Sequence, residues 1–275
     1  MHPCVEVRKS MSTVTIFQIA FEFWGIVWCI IASAGILFGN ARLHANRSIK
    51  LAMQAICILL LLNDSLAYIF RGHPGNTAYY MVRISNYMVF FSNYLYMGVF
   101  SIFLWRSVRE LNERMPRRIY AILGFSGLGV LLLTLSQAYG WFYTFDADHY
   151  YHRGTWYIVA QLIAIVGMVI DLTILLQYRK RLDRVLFYAI LSYFVLPAIT
   201  TVIMIFTYGL SLQNIAIVIS AQIMFVMDTI DISSRLDRSH MALLRARHEA
   251  EHDAMTGLWN KVAGTTKIRE YMAQM

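Results

Sequence analysis

Seven runs of mostly apolar residues, separated by short loops that carry arginine and lysine, constrain this chain more than any motif in it. A bilayer has a hydrocarbon core about 30 Å thick, which an α-helix crosses in about 20 residues. The runs Ile16 to Phe38, Ile49 to Phe70, Tyr79 to Trp105, Ile119 to Tyr139, Trp156 to Gln177, Leu186 to Thr207 and Leu210 to Ile230 reach that length or come close to it. Only "YGL" joins the last two, which predicts a tight helical hairpin. With 58% hydrophobic and 15% charged residues, a soluble fold could not hide the apolar surface. A β-barrel would show short alternating strands instead. The expected fold is an all-α membrane protein, a seven-helix transmembrane bundle.

The loops orient the bundle. One alternate set holds Arg42, Arg47 and Lys50, then Arg106, Arg109, Arg114, Arg117 and Arg118, then Arg179, Lys180, Arg181 and Arg184. The other has Arg8 and Lys9, then Arg71 with Arg83, then Arg153. Positive residues mark the cytoplasmic side, so the N-terminus is expected outside and the C-terminus inside. Arg235, Arg238, Arg245 and Arg247 agree with that orientation. Trp24, Trp28, Trp105, Trp141 and Trp156 mark the interfaces. The net charge of +8 does not gather on one domain, which argues against nucleic acid as a partner and leaves the lipid bilayer. The first run is too long for the apolar core of a signal peptide and carries Glu22. Cys4, Cys29 and Cys57 form no disulfide or metal pattern.

Ionisable groups within spans usually face the bundle interior. Glu22, Asn63, Asp64, Arg83 and Asn86 fall in the outer half under this topology. Two readings fit them: glue between helices, such as an Asp64 to Arg83 pair, or a pocket for a small molecule reached from outside. The outer loop "WFYTFDADHYYHRGTWY" combines aromatics with Asp146, Asp148, His149, His152 and Arg153. It either contributes to such a site or caps the bundle, and its two histidines fit a solvated loop better than a metal site. Candidate ligand-sensing residues are therefore Glu22, Asp64, Arg83, Asn86, His149, His152 and Arg153. Asp171 and Asp228 lie in spans five and seven without evident partners. Span seven has no lysine for a retinal Schiff base. Pro197 predicts a kink in span six, and "GFSGLG" in span four predicts close approach of a neighbour.

Past Ile230 no Gly or Pro stops the helix, so span seven is expected to continue to about Asp253 as a cytoplasmic extension. Leu236, His240 and Leu243 lie on a seam of three- and four-residue steps, weak as a coiled coil. It suits a dimeric connector, and it suits equally a solvated helix. The motif that begins at Asp253 favours the connector.

That motif, "DAMTGLWNK", Asp253 to Lys261, resembles the D-x-L-T-G-L-x-N-R signature that opens the GGDEF domain of diguanylate cyclases. Met255 stands where that family prefers Leu, and Lys261 where it prefers Arg. The spans, with "LLLNDSLAYIFRGHPGN" and "YYHRGTWY", are similar to the seven-helix membrane regions found ahead of GGDEF domains in bacteria. The resemblance implies a sensor domain over 1–231, a signalling helix over 232–252 and the first part of a GGDEF domain over 253–275. It implies a junction motif of Asp253, Thr256, Gly257, Leu258, Asn260 and Lys261, in which Asp253, Thr256 and Asn260 shape a turn and do not touch substrate.

An intact relative would condense two GTP into cyclic di-GMP with Mg²⁺. The GG[DE]EF loop and the metal-binding Asp of that family have no counterpart before Met275, so no catalytic residue, metal site or cofactor is assigned here, and this chain alone is expected to be inactive. A bacterial cytoplasmic (inner) membrane, a homodimer through the helix and an unidentified external small molecule complete the expectation. Two alternatives are a histidine kinase sensor, motivated by His240, His248 and His252, and a small transporter, motivated by Glu22, Asp64 and Asp171.

Overall fold

The computed structural model describes residues 13–38, 46–109, 113–206, 211–253 and 256–274. Cys4, Arg8, Lys9, Arg42, Met255 and the "YGL" turn lie outside them. The chain divides into two compact units, Met1–Asp228 and Thr229–Met275.

The first unit is built from α1 (Thr13–Phe38), α2 (Arg47–Phe70), α3 (Asn76–Val108), α4 (Arg117–Tyr139), α5 (Tyr157–Gln177), α6 (Arg184–Phe206) and the first part of α7 (Leu212–Glu251). Among the described residues six helices, α1 to α5 and α7, are long and apolar enough to cross a membrane. In α6 the qualifying apolar run is shorter, Arg184–Thr200. The protein is thus helical and membrane-like, although the described residues also include a short hairpin. The loop before α5 forms an antiparallel pair, β1 (Tyr143–Phe145) and β2 (Tyr151–Arg153), with Thr144 opposite His152. Strands of three residues are too short to register as alternation in a sequence.

α1 shows why the unit needs lipid. It buries Thr15, Gln18, Glu22, Cys29, Ala32 and Ile36, while Phe17, Phe21, Trp24, Trp28 and Ile31 are exposed. In water this arrangement leaves large apolar side chains unhidden, whereas in hydrocarbon it is the stable one, because polar groups must find partners inside the protein.

α3 is the central helix, packed most extensively on α2 and also on α4 and α5. Its C-terminal half buries Tyr96, Phe100, Phe103 and Leu104 fully. Phe100 stacks on Tyr193 of α6 with ring centroids 3.9 Å apart. Cys29 and Cys57 are free thiols in the same core, each 0% exposed. α4 ends at Gly140, whose φ of +65° places it in the left-handed region and whose N–H donates to the Ser136 carbonyl at 2.8 Å. Pro197 lies inside α6 and has no N–H to give to the carbonyl of Tyr193, one turn back.

The second unit holds the end of α7, a turn, and α8 (Lys261–Gln274). α7 is one unbroken helix from Leu212 to Glu251, as the lack of breakers predicts.

Candidate ligand-binding site

Asp64 and Tyr68 of α2 and Arg71, the residue that closes it, follow at steps of four and three, so the end of that helix presents all three to one side. Asn86, Phe90 and Asn93 repeat the spacing on α3. These faces border a cavity of about 480 Å³, whose lining also includes His152, Arg153, Tyr157, Gln161, Tyr193 and Asn214. Helices α2, α3, α5, α6 and α7 and the hairpin all contribute. The volume lies within the usual range for small-molecule sites.

One end of the cavity is a buried polar floor. Asn214 Nδ2 donates to Asp64 Oδ2 at 2.7 Å and lies 3.0 Å from Ser211 Oγ. Asn93 Nδ2 donates to the Val89 carbonyl at 3.1 Å and to Asn214 Oδ1 at 3.3 Å. Both partners are acceptors, which fixes the amide so that Asn93 Oδ1 is left as a buried acceptor without a donor among the described residues. Behind Asp64, Glu22 accepts from Gln18 Nε2 and Ser65 Oγ, each at 2.5 Å. The floor thus carries two carboxyl groups, Glu22 and Asp64, to which Gln18, Ser65 and Asn214 donate.

The other end is cationic and aromatic. The Arg71 guanidinium lies 4.5 Å from the Tyr68 ring centroid and donates to Thr15 Oγ1 at 3.1 Å. Arg153 lies 4.8 Å from the Tyr157 ring. The hairpin that delivers Arg153 is held by Asp146, whose Oδ1 accepts from the N–H groups of Asp148 and Tyr150 and whose Oδ2 lies 2.9 Å from His152 Nε2. It is tied to the end of α2 by the Gly72 N–H donating to the Asp148 carbonyl at 3.1 Å. Gly72 has φ +75°, and a Cβ there would stand 2.6 Å from the Tyr150 hydroxyl, so both backbone and space call for glycine.

His152 and the two N–H donors hold the Asp146 carboxyl below its ordinary value. Its contribution to folding is therefore complete above the unfolded value of about 3.9 and disappears as pH falls through the lowered folded one. The hairpin amides are expected to keep their hydrogen-exchange protection from neutral pH down to about 4, and Asp146→Asn to lose part of it throughout that range.

Of the residues singled out in the sequence, Asp64, Asn86, His152 and Arg153 line the cavity, and Glu22 stands behind it. Arg83 does not pair with Asp64. Its guanidinium lies over the Tyr79 ring at 3.6 Å and near Phe145 at 5.0 Å, while Asn214 occupies the carboxylate. His149 meets Tyr79 edge-on at 5.7 Å and does not converge with His152. No three His, Cys, Asp or Glu residues gather at one point among the described residues. Sequence reasoning misses Arg71, Asn93 and Asn214 as site residues. Arg71 reads as a topology signal, although its two-turn spacing from Asp64 marks the shared face.

Two further buried acids have structural partners. Asp171 accepts from Ser101 Oγ at 2.7 Å. Asp228 forms an ion pair with Lys50, a residue that the sequence reads as a topology signal at the start of span two and which lies in the first turn of α2. Beside that pair, Gln222 donates to Gln54 Oε1 at 2.8 Å and to Cys29 Sγ at 3.1 Å.

In the second unit, Asp253 and Asn260 organise a tight turn. Asp253 Oδ1 accepts from the Thr256 N–H and hydroxyl, each at 3.0 Å. Gly257 takes φ +69°, and its N–H donates to the Asp253 carbonyl at 2.8 Å. Asn260 Oδ1 caps α8 by accepting from the Ala263 N–H at 3.0 Å, while its Nδ2 donates to the Ala250 carbonyl at 2.7 Å. Leu258 and Lys261 flank these contacts, and Leu258 is exposed. Leu236, His240 and Leu243 are also exposed, Leu243 at 67%. Asn260→Ala removes the cap and the bond to Ala250 together, and is expected to destabilise α8 by about 1 kcal/mol, read as faster hydrogen exchange in 261–265.

No protein-family model matches this chain, and no curated protein matches it.

Proposed function

We propose that the chain is the membrane sensor of a diguanylate cyclase, in which a small molecule bound in the cavity sets the state of α7. The bundle has seven spans, the outer end of the cavity faces away from the cytoplasm, and α7 carries the signal inward. The basis of this reading is the cavity itself, a sizeable space lined by opposed charges inside a membrane-like helical unit. α7 places Asn214 in the cavity floor and runs without a break to Glu251, which suits a transmitter. The self-contained turn from Asp253 to Asn260 suits a rigid joint to a cytoplasmic domain.

In this reading two chains associate through Leu236, His240 and Leu243, and a shift of that seam brings two GGDEF domains into or out of register. GTP and Mg²⁺ belong to that domain and not to residues 1–275. The location is a bacterial cytoplasmic membrane.

The gene beyond the codon for Met275 tests the assignment. A GG[DE]EF loop within the next domain supports it, and a kinase or unrelated domain overturns it. The dimer is checked separately: cysteine at Leu236 or Leu243 is expected to cross-link chains in membranes, and failure at both positions removes the seam from the mechanism.

A further inference from the structure

We infer that the cavity takes a zwitterion of the amino-acid type with an apolar or aromatic body. The inference rests on the reading of this cavity as the sensory site and adds the chemistry of what enters it.

The two ends of the cavity carry opposite charge. Arg71 and Arg153 stand at one end, and among the described residues neither forms an ion pair; each guanidinium lies instead over a tyrosine ring. A carboxylate entering between two such forks gains charge-assisted hydrogen bonds in a partly dry setting. At the other end are the Glu22 and Asp64 carboxyl groups, together with the unpaired acceptor Asn93 Oδ1. A donor is what this end lacks. An ammonium group supplies three, enough for both Asp64 and Asn93, and it matches the sign of the carboxyl pair.

Neither a simple anion nor a simple cation answers both ends. An anion leaves Asn93 Oδ1 unsatisfied and meets the carboxyl pair, while a cation meets two arginines. Leaving a buried polar atom unpaired is costly, which is how such sites reject analogues that lack one group. Asp64 and Arg71 are seven residues apart, about 10 Å of rise. That is a span two side chains can close on a molecule whose charges lie a few bonds apart. Val89, Phe90 and Met97 add apolar surface to the lining of the same cavity, which suits an apolar body.

The test uses the full chain in lipid nanodiscs and a charge-matched panel. The probes are the protein amino acids and 5-aminopentanoate, each with its decarboxylated amine and its N-acetyl derivative, scored by thermal shift and then titration calorimetry. At least one zwitterion is expected to bind, with its amine and its N-acetyl form about tenfold weaker or worse. Arg153 is exposed and lies on the hairpin, so Arg153→Gln is expected to fold as the parent does. It should weaken the zwitterion about tenfold and leave the weak binding of the amine unchanged. If an amine or N-acetyl form binds as tightly as its parent, the zwitterion inference is overturned and the sensory cavity stands. If no probe of any charge type binds, both are overturned.

Discussion

Lys50→Ala is expected to destabilise the folded bundle by about 3–5 kcal/mol, and Asp228→Asn by a similar amount. The two side chains form an ion pair between α2 and α7, and the residues are 4% and 6% exposed. Removing one partner leaves the other charge without its counter-ion in a medium that solvates charges poorly. The combined Lys50→Met, Asp228→Leu variant is expected to recover most of the loss, because two apolar side chains of similar volume need no counter-ion. Unfolding of each variant in mixed detergent micelles measures these differences. If the single and double variants are equally unstable, the pair holds nothing together.

Gly129→Val is the second large effect, an expected cost of about 1–3 kcal/mol from overpacking. A Cβ at Gly129 would stand 2.7 Å from the ring of Tyr94, and that ring cannot easily move. Tyr94 is 3% exposed and its hydroxyl donates to the Ala160 carbonyl at 3.2 Å. Gly127→Val is the matched control, since nothing lies within 4 Å of a Cβ there. Both substitutions change intrinsic helix preference alike, so their difference isolates packing. Tyr94 also lines the cavity, so the Gly129 variant should weaken binding of any cavity ligand as well as lower the melting temperature.

That contrast shows where sequence reading stops. "GFSGLG" announces close approach, yet Gly124 and Gly127 face open space and Gly129 alone of the three meets a neighbour. Spacing on a helix tells which residues share a face, but not which helix that face meets. Apolar run length locates α1 to α6 to within a few residues of their ends, while the end of α7 follows from the lack of helix breakers past Ile230. The partners across helices are not legible: Asp64 with Asn214 at a separation of 150 residues, or Lys50 with Asp228. Lys50 misleads because a basic residue near a span end serves topology and packing equally well. Half of the cavity can be read, since Asp64, Asn86, His152 and Arg153 are the wrong kind of residue for their surroundings unless they bind something. Asn93 and Asn214 are as uncharged as Asn86 but, unlike it with Arg83, have no charged neighbour within a turn to draw attention to them. The hairpin depends on one carboxylate, Asp146, collecting three partners, and nothing in residue type alone shows that it does.

The two sealed thiols make the bundle its own clock. Cys29 and Cys57 sit in the core that joins α1 and α2, and Gln222 of α7 holds Cys29 from the far side. A thiol reagent reaches them only when those helices part. The rate of alkylation at Cys29 and Cys57, read site by site and apart from Cys4, therefore times the opening of the helix packing in intact membranes, and a bound ligand that steadies the bundle should slow it.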